Sequence, residues 1–363
     1  MTIPAPAVSV IIPAYNGAEL IAQTLDSLIA QTMRDFEVIV VDDCSTDGTA
    51  AVVRAYGDPR LRVVRAPRNA GCVHARNQAF ALARGRYIAG LDHDDLCLPE
   101  RFEKQVAFLD GTPDVVLVGT GSLLYENGVT RPHPRPMGMG SDLIDWMMLT
   151  RNPLVWSSTM FRADAARRLD PFERPDRHYV EDFDLYHRLR AFGRIAEIAE
   201  PLTLYRIVAD SMSHRGEARM LAGATRLLAE QHAKLLGVAD TRETAMVVRH
   251  VMARHPVPDV AVLRRVFALV ERLRAAFVAH HSLSHAACEA VDRDVSTLWW
   301  RMCRAAIRSG AIHPRYVSVP DCRTLPQGGG RDMIVSGMIG RMRALRRKRA
   351  GALPQAPDLR HAE

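Results

Sequence analysis

The first hundred residues alternate between short apolar runs and segments of helical spacing, and this alternation constrains the chain more than any other feature. Residues 8–14 (VSVIIPA) are apolar almost throughout, as in a strand buried on both faces of a parallel sheet. In residues 17–31, Leu20, Ile21, Thr24, Leu25, Leu28 and Ile29 fall on one helical face. Residues 36–41 predict a second strand, ending at Asp42 and Asp43, and Asp47 is placed to cap a helix running to Ala55. A third strand follows at 61–64, a helix at 71–83, and a fourth strand at 87–91 that stops at Asp92-His93-Asp94-Asp95. Pro99 opens a helix reaching Leu109, and 115–118 predicts a fifth strand. This order means βαβ crossovers and a parallel sheet covered on both faces. Ligands of such sheets lie beyond the carboxyl ends of the strands, where every polar cluster named above falls.

The pattern loosens after Gly119. Residues 130–140 (TRPHPRPMGMG) read as a loop or lid, 157–161 as a strand, 180–192 as a helix and 198–205 as a strand. From Glu217 to about Ser309 the chain reads as all-helical. The expected division is therefore 1–216 for an α/β domain, 217–319 for a helical region and 320–363 for a basic tail. With 48% hydrophobic and 25% charged residues in 363, the chain can bury a sizeable core and is not a disordered one. Apolar runs stay shorter than the 18 or so residues of a membrane span. The opening MTIPAPAVSVIIPAYN has no basic stretch, so no signal peptide is expected and the expected location is cytoplasmic. The six cysteines form no CxxC pair, as expected of reduced thiols. Of the net charge of +7, +5 resides in residues 331–363, which hold eight Lys/Arg against three Asp/Glu. The block RMRALRRKR at 341–349, preceded by Met333, Ile334, Val335, Met338 and Ile339, reads either as a solvated tail or as an amphipathic anchor on an anionic membrane surface. The second reading places the protein at the inner face of the plasma membrane. Nucleic acid is not an expected partner.

The strand-end clusters carry the chemistry. Asp42 and Asp43 suit hydrogen bonds from a base edge or ribose, or else a turn and helix cap. Asp92, Asp94 and Asp95 repel one another unless a cation joins them, and oxygen ligands favour Mg²⁺ or Mn²⁺; the bland alternative is an acidic solvated loop. Arg68, Arg76 and Asn77 flank Gly71, and an arginine fork suits phosphate, or a helix surface. Glu181-Asp182 opens a helix, where a carboxylate serves as a general base or simply complements the helix dipole. The first βα turn, Pro13-Ala14-Tyr15-Asn16-Gly17, is neither GxGxxG nor a Walker A loop, so NAD enzymes and P-loop ATPases are poor readings. The histidines after residue 217 (His250, His255, His280, His281, His285) form no HExxH and read as scattered surface or core residues. Trp299 and Trp300 read as core packing, or as an acceptor or membrane edge.

Five stretches, in order and spacing, resemble the family 2 glycosyltransferases, inverting enzymes of the GT-A fold. They are VSVIIPAYNGAELIAQTLDSLIAQT, FEVIVVDDCSTDGT, RNAGCVHARNQAFALARGRYIAGLDHDD, the segment from NPLVWSSTMFR to LDPF, and VEDFDLYHRL, within residues 7–215. The resemblance implies a GT-A nucleotide-sugar-binding domain, Rossmann-like with a mainly parallel sheet, followed by an all-helical C-terminal region. It implies that Pro13, Tyr15 and Asp43 line the base pocket, that Arg76 lies near the base or diphosphate, and that Asp92 meets the ribose and sugar. Asp94, with Asp95 nearby, would hold the metal, and Arg206 would contact the diphosphate. Asp182 would deprotonate the acceptor hydroxyl, with Glu181 assisting. A nucleotide sugar is then the donor and a glycan or lipid-linked hydroxyl the acceptor, as in polysaccharide or cell-envelope glycan synthesis. One departure stands out: many relatives have Tyr-Arg-x-His where this chain has Tyr205-Arg206-Ile207-Val208, and His214, after Ser211-Met212-Ser213, is a candidate substitute. A nucleotidyltransferase and a degenerate, non-catalytic nucleotide-sugar-binding module are the alternatives.

Overall fold

The computed structural model describes residues 4–208, 216–238, 240–314 and 336–340. The chain divides into two compact units, Met1–Leu227 and Leu228–Glu363.

The first unit is built on one mixed sheet. Its strands are β1 (Val8–Ala14), β2 (Phe36–Asp42), β3 (Leu61–Arg65), β4 (Tyr87–Gly90), β5 (Leu96–Cys97), β6 (Val115–Glu126), β7 (Val129–Pro132), β8 (Met160–Arg162) and β9 (Arg194–Arg206). They lie in the order β3-β2-β1-β4-β8-β6-β9-β5, with β7 paired to β6. The β3-β2-β1-β4 half is parallel, as expected from its continuous apolar runs, and all seven residues of β1 are buried. Helices α1 (Ile21–Ile29), α2 (Thr49–Ala55), α3 (Cys72–Leu82) and α4 (Arg101–Gly111) make the crossovers. Ile21, Leu25 and Leu28 of α1 join Val8, Val10, Ile12 and Val40 in the core. At Asp42 and at Gly90 the parallel strands end in acidic turns.

The second half of the sheet departs from expectation. β6 does not stop at Val118 but runs to Glu126, turns at Asn127-Gly128 and returns as β7. Gly119, Gly121 and Ser122 interrupt the apolar run, but pairing with β9 along most of its length keeps the segment extended. Residues 157–161 are not one strand: Trp156–Ser158 is a 3₁₀ turn, and β8 begins at Met160. Helices α5 (Ser141–Met147) and α6 (Ala163–Ala166) and strand β5 carry no clear periodic signal at their short lengths. Helix α7 is Glu181–Leu189, followed by a 3₁₀ turn to Phe192. Asp47 precedes the cap position of α2, which is Gly48, and accepts from the Thr49 amide at 3.0 Å and the Ala18 amide at 3.0 Å.

Arg101, at the start of α4, is fully buried. Its guanidinium donates to the Gly90 carbonyl and the Thr159 carbonyl, both at 3.0 Å, and to Gln105 Oε1 at 3.1 Å. A buried cation is tolerated only when satisfied in this way. The result is that the end of β4, from which the acidic turn departs, is pinned to the segment before β8.

Helix α8 (Glu217–Leu236) leads into the second unit, which contains α9 (Thr241–Val247), α10 (Val260–His280) and α11 (His285–Ser309). Asp240, Asp259 and Ser284 cap the last three through amides of Arg242, Val262 and Ala287. Trp299 and Trp300 are buried, Trp299 with its ring 4.5 Å from Phe267, so both belong to the core. His250 is buried with Nδ1 2.9 Å from the His255 carbonyl oxygen. Among the described residues no helix is long and apolar enough to cross a membrane. Of the basic tail only residues 336–340, a short helix, are described; the Arg341 to Arg349 block lies outside the described residues, as does the Ser211 to His214 segment.

Candidate active site

The ends of β1, β2 and β4 bring the sequence-derived residues to one edge of the sheet. Pro13 and Ala14 end β1, and Tyr15 beyond them is 46% exposed. The Asn16 side chain accepts from the Thr46 amide at 2.9 Å, and its own amide donates to Ser45 Oγ at 3.0 Å, tying the first turn to the one after β2. Asp43 is buried, and both of its carboxylate oxygens are engaged: Oδ1 accepts from the Ala70 amide at 2.9 Å and Oδ2 from the Gly71 amide at 2.7 Å. The carboxylate thus shapes the loop before α3. Gly71 has φ +89°, a conformation other residues rarely adopt.

The acidic turn after β4 is held from the far side of the sheet. Arg206, the last residue of β9, donates from its backbone amide to Asp95 Oδ1 at 2.8 Å, from Nε to the Asp94 carbonyl at 2.6 Å and from Nη2 to Gln23 Oε1 at 2.8 Å. Its guanidinium is therefore spent on the turn and on Gln23, rather than lying open. Asp95 is 1% exposed and its Oδ2 has no hydrogen-bond partner. Burial, together with the charges of Asp94 and Asp92, raises the Asp95 carboxyl well above the usual carboxylate range. Burial and Asp92 also raise Asp94. Neighbouring carboxylates disfavour one another's ionisation, and a cation among them would relieve that repulsion. Among the described residues no group of three or more His, Cys, Asp or Glu is arranged to hold a metal ion. Two carboxylates nonetheless fit Mg²⁺ or Mn²⁺, which keep positions for substrate oxygens. The aliphatic side chain of Val208 carries no ligand atom.

A second cluster centres on Arg76, which is buried in α3. Its Nη2 donates to Asp92 Oδ1 at 2.9 Å, and its Nη1 lies 3.3 Å from Glu173 Oε1 and 3.6 Å from Glu181 Oε1. The guanidinium lies over the Trp156 ring, 4.2 Å from its centroid. Gly90 makes room for that ring: a Cβ there would fall 2.6 Å from Trp156 Cε2. Cys72 donates to Glu181 Oε1 at 3.3 Å, its thiol pushed up by burial.

Asp182 stands beside Glu181 in the first turn of α7. Its Oδ2 accepts from Asn152 Nδ2 at 2.9 Å and its Oδ1 from the Phe183 amide at 2.7 Å. Loss of hydration, then the Glu181 charge, raises it to about 6, against the opposing pull of Arg76 and the Phe183 amide. A carboxylate poised near neutrality suits proton abstraction. Pro153, next to Asn152, lines a shallow recess with Thr120, Ser122, Arg135 and Glu197. Burial raises Glu197 to about 7.

Glu173, Trp156 and Asn152 were not singled out from the sequence. Trp156 and Asn152 lie inside the NPLVW stretch without a periodic or charge signal of their own. Glu173 follows LDPF immediately, eight residues before Glu181 and at no strand end.

Residues 9–170 match the Glycosyl transferase family 2. EpsE of Bacillus subtilis (strain 168), named as a glycosyltransferase, is 32% identical over 223 residues, covering 58% of this chain and 76% of EpsE. The succinoglycan biosynthesis protein ExoO of Rhizobium meliloti (strain 1021) is 35% identical over 161 residues, 44% of each chain. The match thus spans three quarters of one relative and less than half of the other. Among solved structures, S. aureus TarS 1-349 in complex with UDP-GlcNAc superposes with a TM-score of 0.54 at 19% identity, covering 96% of this chain and 93% of that one. These likenesses define a glycosyltransferase of the GT-A fold. This chain belongs to glycosyl transferase family 2.

Proposed function

We propose that the chain transfers a sugar from a nucleoside-diphosphate sugar to an acceptor hydroxyl with inversion at the anomeric carbon, in the assembly of a polysaccharide or cell-envelope glycan. The observation that carries this reading is the juxtaposition, through Arg76, of the donor-side Asp92 with the first turn of α7, where Asp182 is poised near neutrality. EpsE and ExoO, whose names place them among glycosyltransferases and succinoglycan biosynthesis, support the polymer reading. The UDP-GlcNAc complex of TarS supports a nucleotide-sugar donor.

In this reading Tyr15 and Pro13 face the base, and Asp43 acts at the same pocket by shaping the Ala70-Gly71 loop. Asp94 and Asp95 would hold Mg²⁺ or Mn²⁺, with Arg206 fixing their turn. When bound, the cation supplies positive charge against the diphosphate as it leaves. Asp182 takes the proton of the acceptor hydroxyl. That oxygen then forms its bond to the anomeric carbon as the bond from carbon to phosphate oxygen breaks. A single displacement inverts the centre and needs no covalent intermediate. Asn152 holds Asp182 in place and favours its ionised form.

The test is thermal unfolding against a panel of UDP, GDP and dTDP sugars with Mn²⁺, followed by transfer assays with whichever donor stabilises the fold. At least one donor should raise the melting temperature with Mn²⁺, and Asp94→Ala should abolish the Mn²⁺-dependent part. A panel without any stabilising nucleotide overturns the proposal.

A further inference from the structure

We propose that Glu173 is a positioning residue of the transfer reaction, acting through Arg76 to hold Asp92 at the end of β4 against Glu181 in the first turn of α7. The inference rests on the reading of these two edges as donor side and base side, and adds a residue that lies outside both.

Glu173 has no exposed surface and cannot touch a substrate directly. Among the described residues, its carboxyl contacts the site through the shared guanidinium, 3.3 Å from Arg76 Nη1. Its backbone is locked to the residue that follows Arg76: the Glu173 amide donates to Asn77 Oδ1 and Asn77 Nδ2 donates to the Glu173 carbonyl, both at 2.8 Å. Phe172 stacks between Phe80 and Phe161, with centroids at 4.1 and 5.7 Å, and its carbonyl accepts from Arg188 Nη1 at 2.8 Å. The carboxyl therefore has a fixed place relative to α3. Trp156 backs the guanidinium from one face, so Glu173 and Trp156 leave Arg76 only the positions that also meet Asp92 and Glu181.

Charge arithmetic gives Glu173 a second property. One guanidinium faces the three carboxyls of Asp92, Glu173 and Glu181, with Asp182 alongside Glu181 and Arg188 near Glu173. Cys72 keeps its proton and donates to Glu181, so it adds no charge. Burial, against the pull of Arg76, raises Glu173 to about 8, with Glu181 and Asp182 adding to the rise. At neutral pH Glu173 therefore holds a proton. A neutral Glu173 accepts a hydrogen bond from Arg76 but leaves its charge to Asp92 and Glu181. Once ionised, Glu173 competes for that charge and weakens the hold of the guanidinium on Asp92.

The test uses the full chain with Glu173→Gln, which keeps the shape and the acceptor oxygen but cannot ionise, and Glu173→Ala, which removes both. The first readout needs no substrate. It is the Trp156 fluorescence, obtained as the difference between each protein and the same protein carrying Trp156→Phe, followed from pH 6 to 9.5. The wild type should show a transition with a midpoint near 8. Glu173→Gln should be flat at the neutral-pH value, and Glu173→Ala flat at a different value. The second readout is the transfer rate with the donor identified in the stabilisation screen. Glu173→Ala should lower kcat by about 10²-fold at pH 7, the cost of a small misplacement. Glu173→Gln should rescue kcat to within about threefold and lack the decline in rate above pH 8 expected of the wild type. Wild type without transfer activity would count against the proposed function, while the fluorescence arm still decides the role of Glu173. An unchanged Trp156 signal and rate in Glu173→Ala overturns the inference, as does a pH transition retained in Glu173→Gln. If the alanine variant does not fold, the glutamine variant and its pH profile decide alone.

Discussion

Asp182 shows how one side chain is tuned by its neighbours. Burial beside Glu181 favours the neutral acid, while Arg76, Asn152 and the Phe183 amide favour the ionised one. The balance near 6 implies that the transfer rate rises with pH through about 6, because only the ionised form accepts the proton. Asn152→Ala removes the donor to Oδ2 and should move this acid limb to higher pH while leaving nucleotide affinity unchanged. Asp182→Asn should lower transfer by roughly 10²-fold or more with donor binding retained, read by steady-state kinetics and calorimetry. An Asn152→Ala limb at the wild-type pH, or an active Asp182→Asn, removes Asp182 from the role of base. The residue scale also shows where the sequence fell silent. Asp92, Asp94 and Asp182 announce themselves because clustered carboxylates at element ends need a reason. Glu173 and Asn152 carry no such mark, since their importance comes from what stands opposite them in space, 97 and 30 residues away in sequence.

The elements that place these residues differ in how they could be foreseen. β1, β2 and β4 are buried on both faces, so their apolar runs are continuous and their ends legible. β6 is a long strand interrupted by Gly119 and Gly121, and only its pairing with β9 shows that it continues. The segment between α5 and β8 illustrates the same limit. Trp156 opens a 3₁₀ turn that takes Ser157 and Ser158 out of the expected strand, and its ring reaches under Arg76 because β4 presents Gly90. The close approach makes a mutational prediction. Gly90→Ala forces the indole to move and should destabilise the fold by about 1–3 kcal/mol, measured by denaturant unfolding. It should also weaken the hold on Arg76, so that transfer falls further than stability alone accounts for. A variant as stable and as active as wild type would show that Trp156 has room to shift.

At the scale of the whole molecule, the raised carboxyls shape stability against pH. Asp182 near 6, Glu197 near 7 and Glu173 near 8 keep protons in the folded chain that the unfolded chain has released above about 4. The unfolded state then binds fewer protons than the folded one, so stability falls as pH rises across this window. Their contribution is complete below pH ~4 and is gone above the highest of the three values. Glu37, Asp58 and Asp110, lowered by their partners, act in the opposite sense only at more acidic pH. The melting temperature of the metal-free protein should therefore decline from pH 5 to 8.5. Glu173→Gln, which cannot ionise, should gain on the wild type progressively from about pH 5 to about 8 and level off above that. Parallel curves for the two proteins would show that Glu173 is ionised throughout.

The sequence alone determined the parallel character of β1 to β4, the helical nature of residues 217 to about 309, and the acidic turns at strand ends. Each depends on local periodicity or on like charges within a few residues of one another. Tertiary structure alone decided that Arg76 is shared among Asp92, Glu173 and Glu181, that Asp43 spends its oxygens on the Ala70-Gly71 loop, and that Arg206 clamps the Asp94-Asp95 turn. A buried charge is tolerated only with partners, and those partners come from strands and loops far apart in the chain. Which side chains satisfy one another is fixed by packing across the sheet, and the local pattern of apolar and polar residues carries no record of it.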